Sequence, residues 1–149
     1  REIGRALSAA PQMDDCQFFV SDAMGRGAEN ITLLDSESLF ADYIPKMDLV
    51  LTRGGFNTVS ECIAHRTPML LIGEPSNPEM QNNLLQIKET GLGSFVSIDR
   101  LVTDLPACLR QFLDAEYRTM RHAMDEHDIA VNGAAFVADN ILNRVATRQ

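Results

Sequence analysis

A chain of 149 residues is long enough to bury a core but short for a complete enzyme, and its 45% hydrophobic content is ordinary for a soluble globular protein. A net charge of -8 with no offsetting basic cluster argues against nucleic acid as a partner and, more weakly, against an anionic membrane surface. A single phosphorylated ligand stays open, because backbone N–H groups bind phosphate without net positive charge.

In chain order, residues 2–10 read as a helix with no strand or glycine-rich turn ahead of them. Continuous apolar runs then read as strands at Phe18–Val20, Ile31–Leu34, Asp48–Thr52, Met69–Ile72 and Ser94–Ser97. Runs without polar alternation fit strands covered on both faces, as in a parallel sheet. Helical stretches fall between most of them, at 37–46, 57–66 and 80–90. Another starts at about Asp104, where Leu105, Leu109 and Phe112 recur at helical spacing, and a last one carries Ala134, Ala138, Ile141 and Val145 on one stripe. The reading is one α/β domain over residues 1–149, a Rossmann-like doubly wound, mostly parallel sheet. In such a sheet the first strand is central and its following loop helps bind the ligand. Its absence here makes the chain read as a piece of a longer polypeptide, the alternative being a domain that simply opens with a helix. If that strand is missing, the sheet should break between the strands at 18–20 and 49–52.

Cys16, Cys62 and Cys108 fit neither a disulfide framework nor a metal knuckle and read as reduced thiols of a cytoplasmic protein. No apolar run approaches the roughly 18 residues of a membrane span, and Arg1-Glu2-Ile3-Gly4 does not have the form of a signal peptide.

The informative stretch runs from Asp48 to Gly93. A strand leads through Arg53-Gly54-Gly55-Phe56-Asn57-Thr58-Val59-Ser60-Glu61 into a helix. Paired glycines allow a sharp turn and close approach of a ligand, and the new helix offers unpaired N–H groups at its positive end. A Gly-Gly turn also serves geometry alone. Glu61 has two readings: a carboxylate accepting from both hydroxyls of a ribose, or the return arm of a capping box with Thr58 as the cap. Arg53 either steers a diphosphate or is simply exposed at a strand end. Phe56 is expected to pack under the turn, the alternative being that it approaches the nucleotide.

The run Met47 to Glu61 resembles the carboxy-terminal, donor-binding domain of GT-B glycosyltransferases, on the branch of the peptidoglycan UDP-N-acetylglucosamine transferase. Pro68-Met69-Leu70-Leu71-Ile72-Gly73, Glu79-Met80-Gln81-Asn82-Asn83 and Asn132-Gly133-Ala134-Ala135 extend the likeness from about Ile31 onward. The resemblance implies a UDP-sugar donor, with TDP or GDP less favoured, held around Arg53, Gly54, Gly55, Asn57, Thr58, Glu61, Gln81 and Asn83, with Glu61 on the ribose. Backbone near Asp35, Ser36 and Glu37 is where the family meets the base, although a plain turn with helix-start chemistry explains these residues equally. The sequence departs from the family where Arg66-Thr67 replaces a glycine before Pro68, and where Gln81 and Asn83 stand only two apart.

His65, His122 and His127 lack metal-ligand spacing, and His65 is expected at a helix end, where the dipole favours it. Asp114, Glu116, Asp125, Glu126 and Asp128 read as a solvated face, and the methionines as core filler. No residue here is expected to be catalytic; the resemblance puts the general base and the acceptor on a missing amino-terminal domain. The parent is expected to transfer a hexosyl group without metal or other cofactor, with peripheral membrane association left open and the fragment alone inactive. The rivals are a UDP-sugar epimerase or hydrolase on a GT-B-like scaffold, and the donor-binding subunit of a split glycosyltransferase.

Overall fold

The computed structural model describes residues 2–21, 28–35, 40–73 and 78–126. The expected last helix, the Asn132-Gly133 motif, His127, Asp128, Ser36 and Glu37 lie outside them. Helix α1 (Glu2–Ala6) continues as a 3-10 turn over Leu7–Gln12, which carries Pro11. The strands are β1 (Phe18–Ser21), β2 (Ile31–Leu34), β3 (Val50–Thr52), β4 (Met69–Gly73) and β5 (Ser94–Ser97). The helices that follow are α2 (Phe56–Ala64), α3 (Pro78–Thr90), α4 (Ile98–Thr103), α5 (Leu105–Ala115) and α6 (Tyr117–Glu126).

All strand pairs are parallel, as continuous apolar runs require. β1 pairs with β2, placing Phe18 beside Ile31 and Ser21 beside Leu34. The second sheet has the order β3-β4-β5, with Leu51 beside Leu70 and Leu71 beside Phe95. Among the described residues no ladder joins the two sheets, so the break expected between the strands near residues 18 and 50 is present. β4 lies at the centre of its sheet, and its Met69, Leu70, Leu71 and Ile72 are all buried.

The core gathers around this strand. Ile44, Leu101, Leu105, Phe112 and Met124 join it in one cluster, and each such side chain contributes about 1.5–3 kcal/mol when fully buried. Met13, Met69, Met120 and Met124 are buried as filler, and Met120 does more: its sulfur accepts the Met69 backbone N–H at 3.4 Å. Asn30 fastens the amino-terminal turn to the first sheet. Its amide donates to the carbonyls of Ala10 and Met13 at 2.8 Å and of Cys16 at 3.2 Å.

Two expectations about helices need correction. The stretch 37–46 holds no single α-helix among its described residues, only short 3-10 turns at Phe40–Asp42 and Ile44–Lys46. Pro45 removes a backbone donor there, and apolar spacing alone does not distinguish two such turns from a helix. The solvated acidic face is also incomplete: Glu116 is half-buried and accepts a hydrogen bond from the Ser94 hydroxyl.

Candidate functional site

The site is built where β3 ends and α2 begins. Gly54 is buried with φ of 80°, a left-handed backbone that a residue with a Cβ adopts only under strain. It turns the chain sharply from strand to helix. A Cβ at Gly54 would meet only Leu71 at 3.9 Å, an ordinary contact, so the need for glycine is conformational and not steric.

Gly55 presents the opposite case. It is the N-cap of α2, with φ of -61° and ψ of 138°, a conformation any residue adopts. Nothing lies within 4 Å of where its Cβ would stand. The fold therefore gives no reason for a glycine at 55. Its effect is to leave open space above the first turn of α2.

Capping sharpens the point. α4 is capped by the Ser97 hydroxyl, which accepts the Arg100 N–H, and α5 by the Asp104 carboxylate, which accepts the Ala107 N–H at 2.9 Å. No side chain caps α2. Its first intrahelical bond runs from Val59 N–H to Gly55 O at 3.1 Å, and the N–H groups before Val59 face outward with the positive end of the helix dipole.

This overturns the capping-box reading of Thr58 and Glu61. The helix begins at Phe56, so Thr58 is its third residue and too deep to be the cap. Glu61 is half-buried, and no hydrogen bond or ion pair engages its carboxylate among the described residues. Behind it Cys62 is buried, and burial pushes its thiol up to about 12, so it is a core atom and not a nucleophile.

α3 supplies the second wall. The Asn83 amide donates to Gly54 O at 3.3 Å, tying the helix to the glycine turn across 29 residues of sequence. Gln81 is half-buried but stands about 200° round the helix axis from Asn83, so the two amides do not share a face. Of the residues marked from the sequence, Arg53 and Asn57 are exposed, and Gly55, Thr58, Glu61 and Asn83 are half-buried around the turn. Phe56 does not pack beneath the turn as expected: it is 67% exposed. A phenyl ring in a sequence is taken for core by default, and helical spacing, which sets Phe56 about 20° from Ile63 and about 60° from Val59, gave no contrary signal. On α2 it stands about 40° from exposed Ser60 and about 60° from buried Val59, at the edge of the buried side.

The far end of α2 contains the non-glycine turn. His65 is the C-cap, and Arg66 takes φ of 54°. The turn forms anyway, with Thr67 N–H bonding Cys62 O at 2.8 Å and the buried Thr67 hydroxyl donating to Ile44 O at 3.0 Å.

No three His, Cys, Asp or Glu side chains converge as a metal set among the described residues, and no described helix is long and apolar enough to cross a membrane.

Comparison with known proteins agrees with this architecture. Residues 9–139 match the glycosyltransferase family 28 C-terminal domain. An uncharacterized glycosyltransferase of Methanosarcina mazei is 27% identical over 130 residues, 87% of this chain and 33% of its own length. The UDP-N-acetylglucosamine–N-acetylmuramyl-(pentapeptide) pyrophosphoryl-undecaprenol N-acetylglucosamine transferase of Thermosipho africanus is 38% identical over 68 residues, 44% of this chain and 20% of its own length. The chain thus spans a third or less of these two relatives. The crystal structure of the glycosyltransferase SnogD from Streptomyces nogalater superposes with a TM-score of 0.64 at 18% identity, covering 93% of this chain and 38% of that one, which shows the fold. The resemblance read from the Met47–Glu61 run is therefore correct, and the chain belongs to the glycosyltransferase family 28 C-terminal domain.

Proposed function

We propose that this chain binds the nucleoside diphosphate sugar donor of a glycosyltransferase, with a uridine nucleotide preferred. The diphosphate sits over the open first turn of α2, beside Gly54 and Gly55. Glu61 accepts from the ribose hydroxyls, and Asn83 holds the turn in shape. The observation that carries this reading is the pairing of an uncapped helix start, kept clear by a glycine the fold does not need, with a half-buried carboxylate that no hydrogen bond or ion pair engages among the described residues. Family membership and the UDP-N-acetylglucosamine in the name of the Thermosipho relative support it.

Chemically, such a site stabilises the charge that develops on the departing nucleoside diphosphate, through fixed N–H groups and the dipole of α2. On this reading the acceptor and the base that deprotonates it belong to a second domain, the hexosyl transfer needs no bound metal, and the protein works in the cytoplasm. Calorimetric titration with UDP tests the site. Glu61→Ala should weaken UDP binding at least tenfold and leave thermal stability unchanged, because its carboxylate makes no hydrogen bond or ion pair among the described residues. Unchanged affinity in that variant removes the ribose role.

A further inference from the structure

Phe56 is the most exposed of the large apolar side chains among the described residues, at 67%, ahead of Leu85 at 60% and Phe95 at 51%. Phe95 has the Lys88 ammonium over its ring, 5.1 Å from the centroid, whereas no ring or cation engages Phe56 among the described residues. It occupies the first helical position of α2, directly after the glycine that keeps the helix start clear. Side chains of a helix lean toward its amino terminus, so this ring leans toward the space the diphosphate would take.

The helix fixes which side of that space the ring borders. Phe56 and Glu61 are five residues apart, about 140° around the axis and about 7.5 Å along it. Val59 and Cys62 turn inward between the far flanks of these two residues. Phe56 and Glu61 therefore bracket the start of α2 from different sides. A ligand whose ribose rests on Glu61 and whose phosphates cross the helix start carries its base away beyond Glu61. The group on its terminal phosphate then comes out on the side of Phe56.

Resting on the donor reading above, we infer that Phe56 is a specificity-determining residue whose ring stacks on the apolar C–H face of the transferred sugar. The phenyl ring offers a flat, rigid apolar surface, and a pyranose bonded directly to the terminal phosphate is the first part of the donor to reach it. The nucleoside and the phosphates make their contacts elsewhere, so the ring distinguishes the sugar nucleotide from the bare nucleotide.

The test compares UDP with UDP-N-acetylglucosamine and UDP-glucose, titrated calorimetrically into the full chain and its Phe56→Ala and Phe56→Tyr variants. An exposed side chain can be replaced without loss of the fold, and the thermal midpoints of both variants should match the wild type. Phe56→Ala should weaken the sugar nucleotides at least fivefold and leave UDP within twofold, and Phe56→Tyr should bind all three as the wild type does. If the wild type binds the three nucleotides and Phe56→Ala changes none, or weakens all equally, the stacking role is wrong and the donor site stands. If the wild type binds none of them, the donor reading falls and this inference falls with it.

Discussion

The two ends of α2 are built in opposite ways. At the start, Gly54 takes a left-handed backbone without strain, Gly55 leaves space, no side chain caps the helix, and Phe56 stands in solvent. At the end, a non-glycine residue is held in the left-handed region by its surroundings. Arg66 pairs with Asp125 at 3.6 Å, its carbonyl accepts from the Arg121 guanidinium at 3.3 Å, and Thr67 beside it is buried and bonded to Ile44. One helix thus has a terminus closed by interactions with α6 and the core, and another with its donors left open. Uncapped donors at a glycine-lined turn are what the ligand site proposed above requires.

The largest effect on stability is expected where the open end depends on backbone conformation. Gly54→Ala should lower stability by about 1–2 kcal/mol, the usual penalty of a left-handed backbone for a residue with a Cβ. Leu71 leaves room for the methyl, so no steric term adds to it. UDP binding should weaken as well, because the carbonyl that Asn83 grips belongs to the displaced residue. Urea unfolding measures the first effect and titration the second. A variant as stable as the wild type would show that the turn relaxes freely, and the contrast between the two ends would lose its conformational basis.

How much of this was legible in the sequence depends on the range of the interaction. The five strands were readable because each is a continuous apolar run, and β4, the most buried, was the plainest. The start of α5 near Asp104 was readable because Leu105, Leu109 and Phe112 recur at helical spacing, and the Asp104 carboxylate then caps it by accepting the Ala107 N–H. At α2 the same local logic misled. Thr58-x-x-Glu61 has capping-box spacing, but the helix starts earlier on a glycine that provides no capping signal. The helix stop near Arg66 was readable, but what holds that left-handed backbone was not, since Asp125 and Arg121 reach it from a helix some 55 residues away. The bond from Asn83 to Gly54 was equally invisible, being set by how α3 packs and not by its own pattern.

The closed end yields a smaller prediction of opposite sign. Arg66→Gly should raise stability by a few tenths of a kcal/mol, because it removes a left-handed penalty of about 1–2 kcal/mol, gives up one exposed ion pair and makes the unfolded chain more flexible. Both partners of that pair are more than half exposed, 58% for Arg66 and 55% for Asp125, so its loss is minor. The Arg121 bond goes to the backbone carbonyl and survives the substitution. The midpoint of urea unfolding is the measurement. A less stable variant would mean that the Arg66 side chain anchors α6 to the turn, and that the strain is offset by more than the exposed ion pair.

A comparably small change in stability gives the sharpest comparison. Gly55→Ser places an N-cap hydroxyl at a backbone conformation that suits it, with nothing within 4 Å to clash. Serine caps better than glycine by a few tenths of a kcal/mol, and a less flexible unfolded chain adds a similar amount. The variant should therefore unfold at slightly higher urea. Its hydroxyl would then occupy the N–H groups that the diphosphate needs, and UDP affinity should fall at least tenfold. Stability and binding move in opposite directions only if the open helix start is reserved for a ligand. A variant that gains stability and binds UDP as before would place the nucleotide elsewhere, whereas one that loses both would show that the glycine serves the fold after all.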